Sequence, residues 1–183
     1  RVVERTAQLQ REQQNTETLL HILTEVSSSL DLDRALNRTL ALLNDAIGAE
    51  QGTIMLLNLE DNLLHFRAGY GYLSERVSGG GRGFKLGIGE GLAGWVVAQR
   101  EPALIDDLWN DPRWVKATDS SGEHRSAIAM PLLVAEDVIG ALLVYHRRPS
   151  YFSSELLSLV KAIAGQVAVA INNAHLYELI RDQ

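Results

Sequence analysis

The stretch Ser78–Gln99, SGGGRGFKLGIGEGLAGWVVAQ, decides how the rest of the chain is read. It holds eight of the fifteen glycines. Within it Gly89–Gly94, GEGLAG, spells G-x-G-x-x-G, and the short apolar piece ALID that follows ends in an acid, Asp106. Glycine turn, helix, strand and acidic residue, in that order, are the parts of a dinucleotide-binding unit. Two features oppose that reading. The residues before Gly89, GGGRGFKLGI, are not the buried apolar strand that must feed such a turn. The helix expected from Gly91 to Gln99 is too short for a crossover between parallel strands, which takes a dozen or more residues. Gly91 and Gly94 then read as positions where a short helix lies close on a sheet. A dinucleotide-binding enzyme is left as a minor alternative carried by this motif alone.

Hairpins flank the glycines. GTIMLLNL and NLLHFRAGYG read as strands joined at Glu60-Asp61-Asn62, and SAIAMPLLVA and VIGALLVYHR as strands joined at Glu136-Asp137. In the second pair Ile128, Met130 and Leu132 form one apolar face and Ala127, Ala129 and Leu133 the other, so the sheet is covered on both sides. Pro131 has no amide to give to a ladder, which predicts an irregularity beside it. Before the hairpins, Asp31 or Asp33 can cap a helix with Leu32, Leu36, Leu40, Leu43 and Ile47 on one side and Gly48 as its stop. After them, Ser153 or Ser154 caps a long helix. Leu156, Val160, Ile163, Val167, Ile171 and Ala174 lie along one side of it, and Leu157, Ala164, Ala168 and Leu176 widen that surface. The predicted fold class is α/β of the α+β kind, with about five or six antiparallel strands. Helices within 1–48 and 153–181 cover one face, and the glycine segment with its loops covers the other.

Composition bounds the function. The 183 residues, 46% apolar and 22% charged, suit one globular domain. A net charge of −6 with no basic stripe argues against nucleic acid as a partner. The absence of cysteine excludes disulfides, thiolate nucleophiles and thioether-linked cofactors from this chain. No apolar run approaches the roughly 18 residues of a membrane span, so no direct membrane insertion is expected. The first residue is Arg1, which suggests a piece of a longer protein. No Ser-His-Asp order with a strained elbow, zinc motif or phosphate-binding set is present, so the chain is not expected to be an enzyme.

The opening residues RVVERTAQLQ carry a different pattern. Val2, Leu9, Thr16, Leu23 and Leu30 fall seven apart, with Leu19 and Val26 between them. So thin a stripe needs a partner helix, and its period suggests a coiled coil. The domain reading is a connector over 1–20, a sensor domain over 21–177 and the start of a second connector over 178–183. Leu19, Leu23, Val26 and Leu30, with Val167, Ile171 and Leu176 of the last helix, are the predicted interface of a parallel homodimer.

GIGEGLAGWVVAQREPALIDDL and RSAIAMPLLVAEDVIGALLVYHRRPSYFSSELLSLVKAIAGQVAVAINNAHLY together resemble the GAF domain in order and spacing, over about Leu19 to Tyr177. The matching pieces are Gly89-Glu90-Gly91 with Ala93-Gly94-Trp95-Val96, then Ile105-Asp106-Asp107, Asp111-Pro112-Arg113, Arg125-Ser126, Pro131-Leu132, Val138-Ile139-Gly140 and Phe152. The resemblance implies a central antiparallel sheet, a ligand pocket on one face, and a sensory role inside a larger bacterial protein, such as a cytoplasmic or membrane-anchored sensor histidine kinase of a two-component system. Bilin-carrying members attach their chromophore through cysteine, which is ruled out here. The cyclic-nucleotide signature is not met, since Asn110 is followed by Asp111 rather than Lys, and Phe152-Ser153-Ser154-Glu155 is a faint echo. Haem-binding members use a histidine. Of His21, His65, His124, His146 and His175, none stands at chelating spacing with another, His65 and His146 read as surface or edge residues, and His124 is the least implausible ligand.

The piece DDLWNDPRW opens a long loop from Asp106 to Arg125. It reads either as a mobile lid over a ligand or as a loop pinned by tryptophan burial and an Asx turn at Asp111-Pro112. With the helix Gly91–Gln99 it would wall a pocket. The expected ligand contacts are Trp95, Asp106, Asp107, Trp109, Trp114, Arg125, Ser126 and Ile128, with the ligand itself unidentified. The two function classes are a small-ligand sensor that relays through its terminal helices, and a structural dimerisation and relay module with no ligand.

Overall fold

The structure, a computed structural model, describes residues 32–70, 85–113 and 124–181. The seam of Leu19, Leu23, Val26 and Leu30, the cap at Asp31, and His21 and Trp114 lie outside them. Helix α1, Leu32–Ile47, buries Leu32, Leu36, Leu40, Leu43 and Ile47 as the leucine spacing predicts. Asp33 lies inside α1, past its first residue. Gly48, at φ 74°, closes the helix with its amide on the Asn44 carbonyl at 2.8 Å.

Strands β1 (Gln51–Asn58) and β2 (Leu63–Tyr70) form the first hairpin, and β5 (Ser126–Val134) and β6 (Asp137–His146) the second. Between them come β3 (Lys85–Gly87), helix α2 (Gly91–Gln99) and β4 (Ala103–Ile105), and the chain closes with α3 (Ser154–Arg181). The strand order is β3-β2-β1-β6-β5-β4, and every adjoining pair is antiparallel. An all-antiparallel sheet overturns the dinucleotide reading, which needs parallel strands joined through a helix. Instead α2 carries the chain from β3 at one edge of the sheet to β4 at the other. β3, three residues inside the glycine stretch, is an addition to the sequence reading. It is too short to show alternation and exists because β2 offers it an edge at Leu63–His65. The irregularity expected near Pro131 falls between Leu132 and Leu133.

Two cores sandwich the sheet. On one face α1 and α3 pack Leu36, Leu40, Leu43, Val160 and Ile163 against Ile54, Ile128, Met130 and Val144. On the other, α2 packs Leu92, Ala93, Val96 and Val97 against Met55, Ala127, Ala129, Ala141 and Leu143. The hydroxyl of Ser153 accepts from the Leu156 amide at 3.3 Å and caps α3. By length and composition α3 could span a bilayer, yet one side of it is sheet core, as in many soluble-type core helices. Val167 and Ile171 belong to that core and are closed off within the chain, which corrects their assignment to a dimer interface. The reason is that the i, i+4, i+7 stripe they share with Val160 and Ile163 is the side laid on the sheet. Leu176 is 49% exposed.

Candidate functional site

Alternation along the strands settles which side chains face α2. A bulge in β2 opposite Ile54 and Met55 adds one residue, Arg67, so that Ala68 faces the terminal helices with Ile54 while Leu64 faces α2 with Met55. On β1 the same parity brings Gln51 and Thr53 to the α2 side, with Thr53 opposite Leu143 and Gln51 opposite Tyr145. Tyr145 lies in turn beside Ala127, and the His124 ring stands 5.5 Å from the Tyr145 ring at 37°. Three polar side chains, Gln51, Thr53 and Tyr145, are thus buried among alanines and leucines on this face. Burial pushes the Tyr145 phenol well above its ordinary value, so it stays protonated. Thr53 is 7% exposed, and its buried hydroxyl has no hydrogen-bond partner among the described residues. None of these three was picked from the sequence. Their signal was faint, two polar residues spaced by two at the head of an otherwise apolar strand.

Above one end of this floor stands a rim made by α2 and the loop after β4. A single 3₁₀ turn, Leu108–Asn110, is anchored by buried Leu108, while Trp109 is 52% exposed. The loop is therefore not pinned by Trp109. The Asx turn is present, with the Asp111 carboxylate accepting from the Arg113 amide at 2.9 Å. Arg113 also grips Asp111 through Nε at 2.9 Å and Nη2 at 2.6 Å, and lays its guanidinium 4.5 Å from the Trp95 ring centroid. The pattern repeats at the loop's far end. Arg125 donates to Asp107 at 2.8 and 2.6 Å and stacks 3.8 Å from the Trp109 ring, and its carbonyl accepts from the Leu108 amide. These guanidinium bonds hold the Asp107 and Asp111 carboxyls below the usual carboxylate range, against the opposing cost of desolvation.

The structure thus gathers Trp95, Asp107, Trp109 and Arg125 at the rim, with Arg113 as a member the contact prediction lacked. Asp106 is exposed, and its carbonyl accepts from the Ser150 amide at 2.8 Å. Ser126 and Ile128 are corrections. Ile128 belongs to the core under α1 and α3, and Ser126 shares its parity and donates to the Arg148 carbonyl at 2.6 Å. The α2-facing residues of β5 are Ala127 and Ala129.

The histidines are placed too. His65 Nε2 lies 2.7 Å from Asp61, and His175 is exposed. His146 is a further correction, since it is buried rather than at the surface and stacks on Tyr151 at 3.7 Å. No group of three or more His, Asp or Glu that could hold a metal occurs among the described residues.

Comparison with known proteins agrees with this architecture. The chain is 25% identical over 158 residues to a Nif-specific regulatory protein of Herbaspirillum seropedicae, covering 81% of this chain but only 28% of that relative. The GAF domain of an Acinetobacter phosphoenolpyruvate-protein phosphotransferase superposes with a TM-score of 0.78 at 24% identity, covering 88% of this chain and 94% of that one. A free methionine-R-sulfoxide reductase from Neisseria meningitidis, solved with its substrate, gives 0.76 at 20% identity over 89% and 91%. At such identities the likeness to solved structures is one of fold. The model of the GAF domain matches residues 29–172. With that span and the six-stranded antiparallel sheet covered on both faces, the chain belongs to the GAF domain family.

Proposed function

We propose that this chain is a non-catalytic sensory domain that takes a small ligand on the α2 face of its sheet and relays occupancy through its terminal helices. The family is one of regulatory domains that bind small ligands. The observation that carries the reading is the buried polar floor of Gln51, Thr53 and Tyr145, with the Thr53 hydroxyl unsatisfied. A sealed core would lose nothing by being apolar there, whereas a ligand could use that hydroxyl. Catalysis is not part of the proposal, since the similarity to a Nif-specific regulatory protein favours a regulatory role.

The test is ligand-observed NMR on mixtures of small metabolites with the wild-type chain and Thr53→Val. At least one compound should bind the wild type and lose affinity in the variant. If none binds, the second reading stands, a relay module without a ligand. That reading draws on the rim, where Asp107–Arg125 and Asp111–Arg113 already satisfy one another.

A homodimer completes the reading. The outward side of α3 carries Ser158, Ala162, Gly165, Val169 and Leu176, spaced as a helix–helix seam, with Val169 45% and Leu176 49% exposed. A methyl group added at Gly165 would meet nothing among the described residues, so none of their packing requires that glycine. We place the chain as one cytoplasmic module of a multidomain bacterial sensor, of histidine-kinase or similar type. Support for that setting comes from the small share, 28%, of its regulatory relative that the chain spans.

A further inference from the structure

The connection from β6 to α3, residues 147–153, is bonded to both halves of the molecule. Toward the rim, the Ser150 amide donates to the Asp106 carbonyl at 2.8 Å and the Arg125 amide to the His146 carbonyl at 2.9 Å. The Ser126 hydroxyl donates to the Arg148 carbonyl at 2.6 Å. Toward the terminal helices, the Tyr151 hydroxyl donates to the carbonyl of Ile47, the last residue of α1, at 3.0 Å. The Tyr151 ring lies flat on His146 and meets Phe152 edge-on at 5.2 Å, and Phe152 is part of the core under α1 and α3. The backbone amide of Arg148 donates to His146 Nδ1 at 2.9 Å. Glu50, just past α1, stands 3.5 Å from His146 Nε2 and accepts from Arg147 Nε at 2.9 Å.

We infer that this segment is the coupler between the candidate site and the terminal helices, with Tyr151 and Ser126 as its positioning residues. The inference rests on the site reading above, and names how that site is regulated. Its physical basis is the lack of slack. The segment is held by two hydrogen bonds, Ser150 to Asp106 and Ser126 to Arg148, and Tyr151 and Phe152 tie it to α1 and to the start of α3. A shift of the rim therefore cannot be absorbed within it. Ser150 sits at φ 54°, a left-handed conformation that disfavours a non-glycine residue, and its bond to Asp106 helps to hold it there. Opening that bond would release Ser150 to its ordinary basin and free the segment from the rim, which is the second arrangement the coupler requires.

The experiment perturbs the rim without needing a ligand. Arg125→Met breaks the pair with Asp107 and keeps an unbranched side chain about as long as arginine's aliphatic stem. In the full 183-residue chain, amide shifts should then appear at Gly48, Glu50 and the first turns of α3 as well as at Leu104 and Ile105. In a Tyr151→Phe, Ser126→Ala background the shifts at Gly48 and Glu50 should fall by about half or more, and those at Leu104 and Ile105 should persist. The unfolding constants of Arg125→Met and Tyr151→Phe should combine non-additively by about twofold or more, against additivity for Arg125→Met with Ser158→Ala. Rim shifts that never reach Gly48 and Glu50, or reach them equally in the double background, overturn the coupler. A metabolite that binds at the floor but leaves Gly48 and Glu50 unmoved also overturns it, with the site reading intact. Mutational coupling with no metabolite bound removes the site reading and supports the coupler.

Discussion

Thr53 and His146 show how single polar side chains report on this fold. A buried hydroxyl without a partner costs about 1–3 kcal/mol, and valine replaces threonine with nearly the same shape. Thr53→Val should therefore raise the melting temperature by about 2–4 °C while weakening any ligand that uses the hydroxyl. A lower melting temperature would mean that the hydroxyl is satisfied in solution. For His146, burial pulls the imidazole below its ordinary value of 6.5, opposed by Glu50 and reinforced by Arg148 and Arg147. Its Nδ1 accepts from the Arg148 amide, so the neutral ring is the bonded form. The sign follows. Below 6.5 the unfolded chain takes up a proton that the folded chain refuses, so stability should decline as pH falls from 6.5 toward the lower folded value, and stay level above it. Urea midpoints from about pH 7.5 to about pH 5 should show that decline in the wild type, and a flatter profile in His146→Gln. Equal slopes in both would remove His146 as its source.

Elements differ in how much their glycines matter. Helix α2 starts so close to β3 that a methyl group on Gly94 would run into the Gly87 carbonyl oxygen and the backbone of Gly89. Backbone cannot step aside as a side chain can, so Gly94→Ala should cost about 1–3 kcal/mol in urea unfolding. In the long helix, Gly165 faces open space, and Gly165→Ala should stabilise the folded subunit by about 0.5–1 kcal/mol. The two substitutions are chemically identical and should act with opposite sign. Had they the same sign, the seating of α2 on β3 would be wrong. The local pattern of this region was readable in advance, including the bounds Gly91–Gln99 of α2. Its energetic meaning was not, because Gly91 serves a turn at φ 67° while Gly94 serves close approach.

For the whole molecule, the outward face of α3 is the test of assembly. Val169→Glu with Leu176→Glu places two charges on the exposed seam and leaves Val160, Ile163 and Val167 in the core untouched. Sedimentation should show a dimer for the wild type and a folded monomer for the double variant, with unchanged far-ultraviolet circular dichroism. A wild-type chain that is monomeric at roughly 100 μM, where even a weak obligate pair would associate, contradicts the dimer. Gly165→Ala adds a second reading, since a methyl group in a tight helix crossing should weaken association even as it steadies the subunit.

Period and punctuation alone determined the longer elements, though not β3. Leucines at helical spacing marked α1 and α3, alternation and turn residues marked both hairpins, and the poor strand before Gly89 argued correctly against a dinucleotide fold. These features are local, so a linear reading reaches them. Alternation also says that β5 has two apolar faces, but not which layer covers which, and so Ser126 and Ile128 were assigned to the wrong side. That choice is made by the order of strands and by which helices close over each face, both products of chain closure. The same holds for Arg125 on Asp107, 18 residues apart, and Tyr151 on Ile47, 104 apart. No spacing rule predicts such pairs. They exist because antiparallel strands return the chain to the same corner, and only the tertiary structure decides which residues meet there.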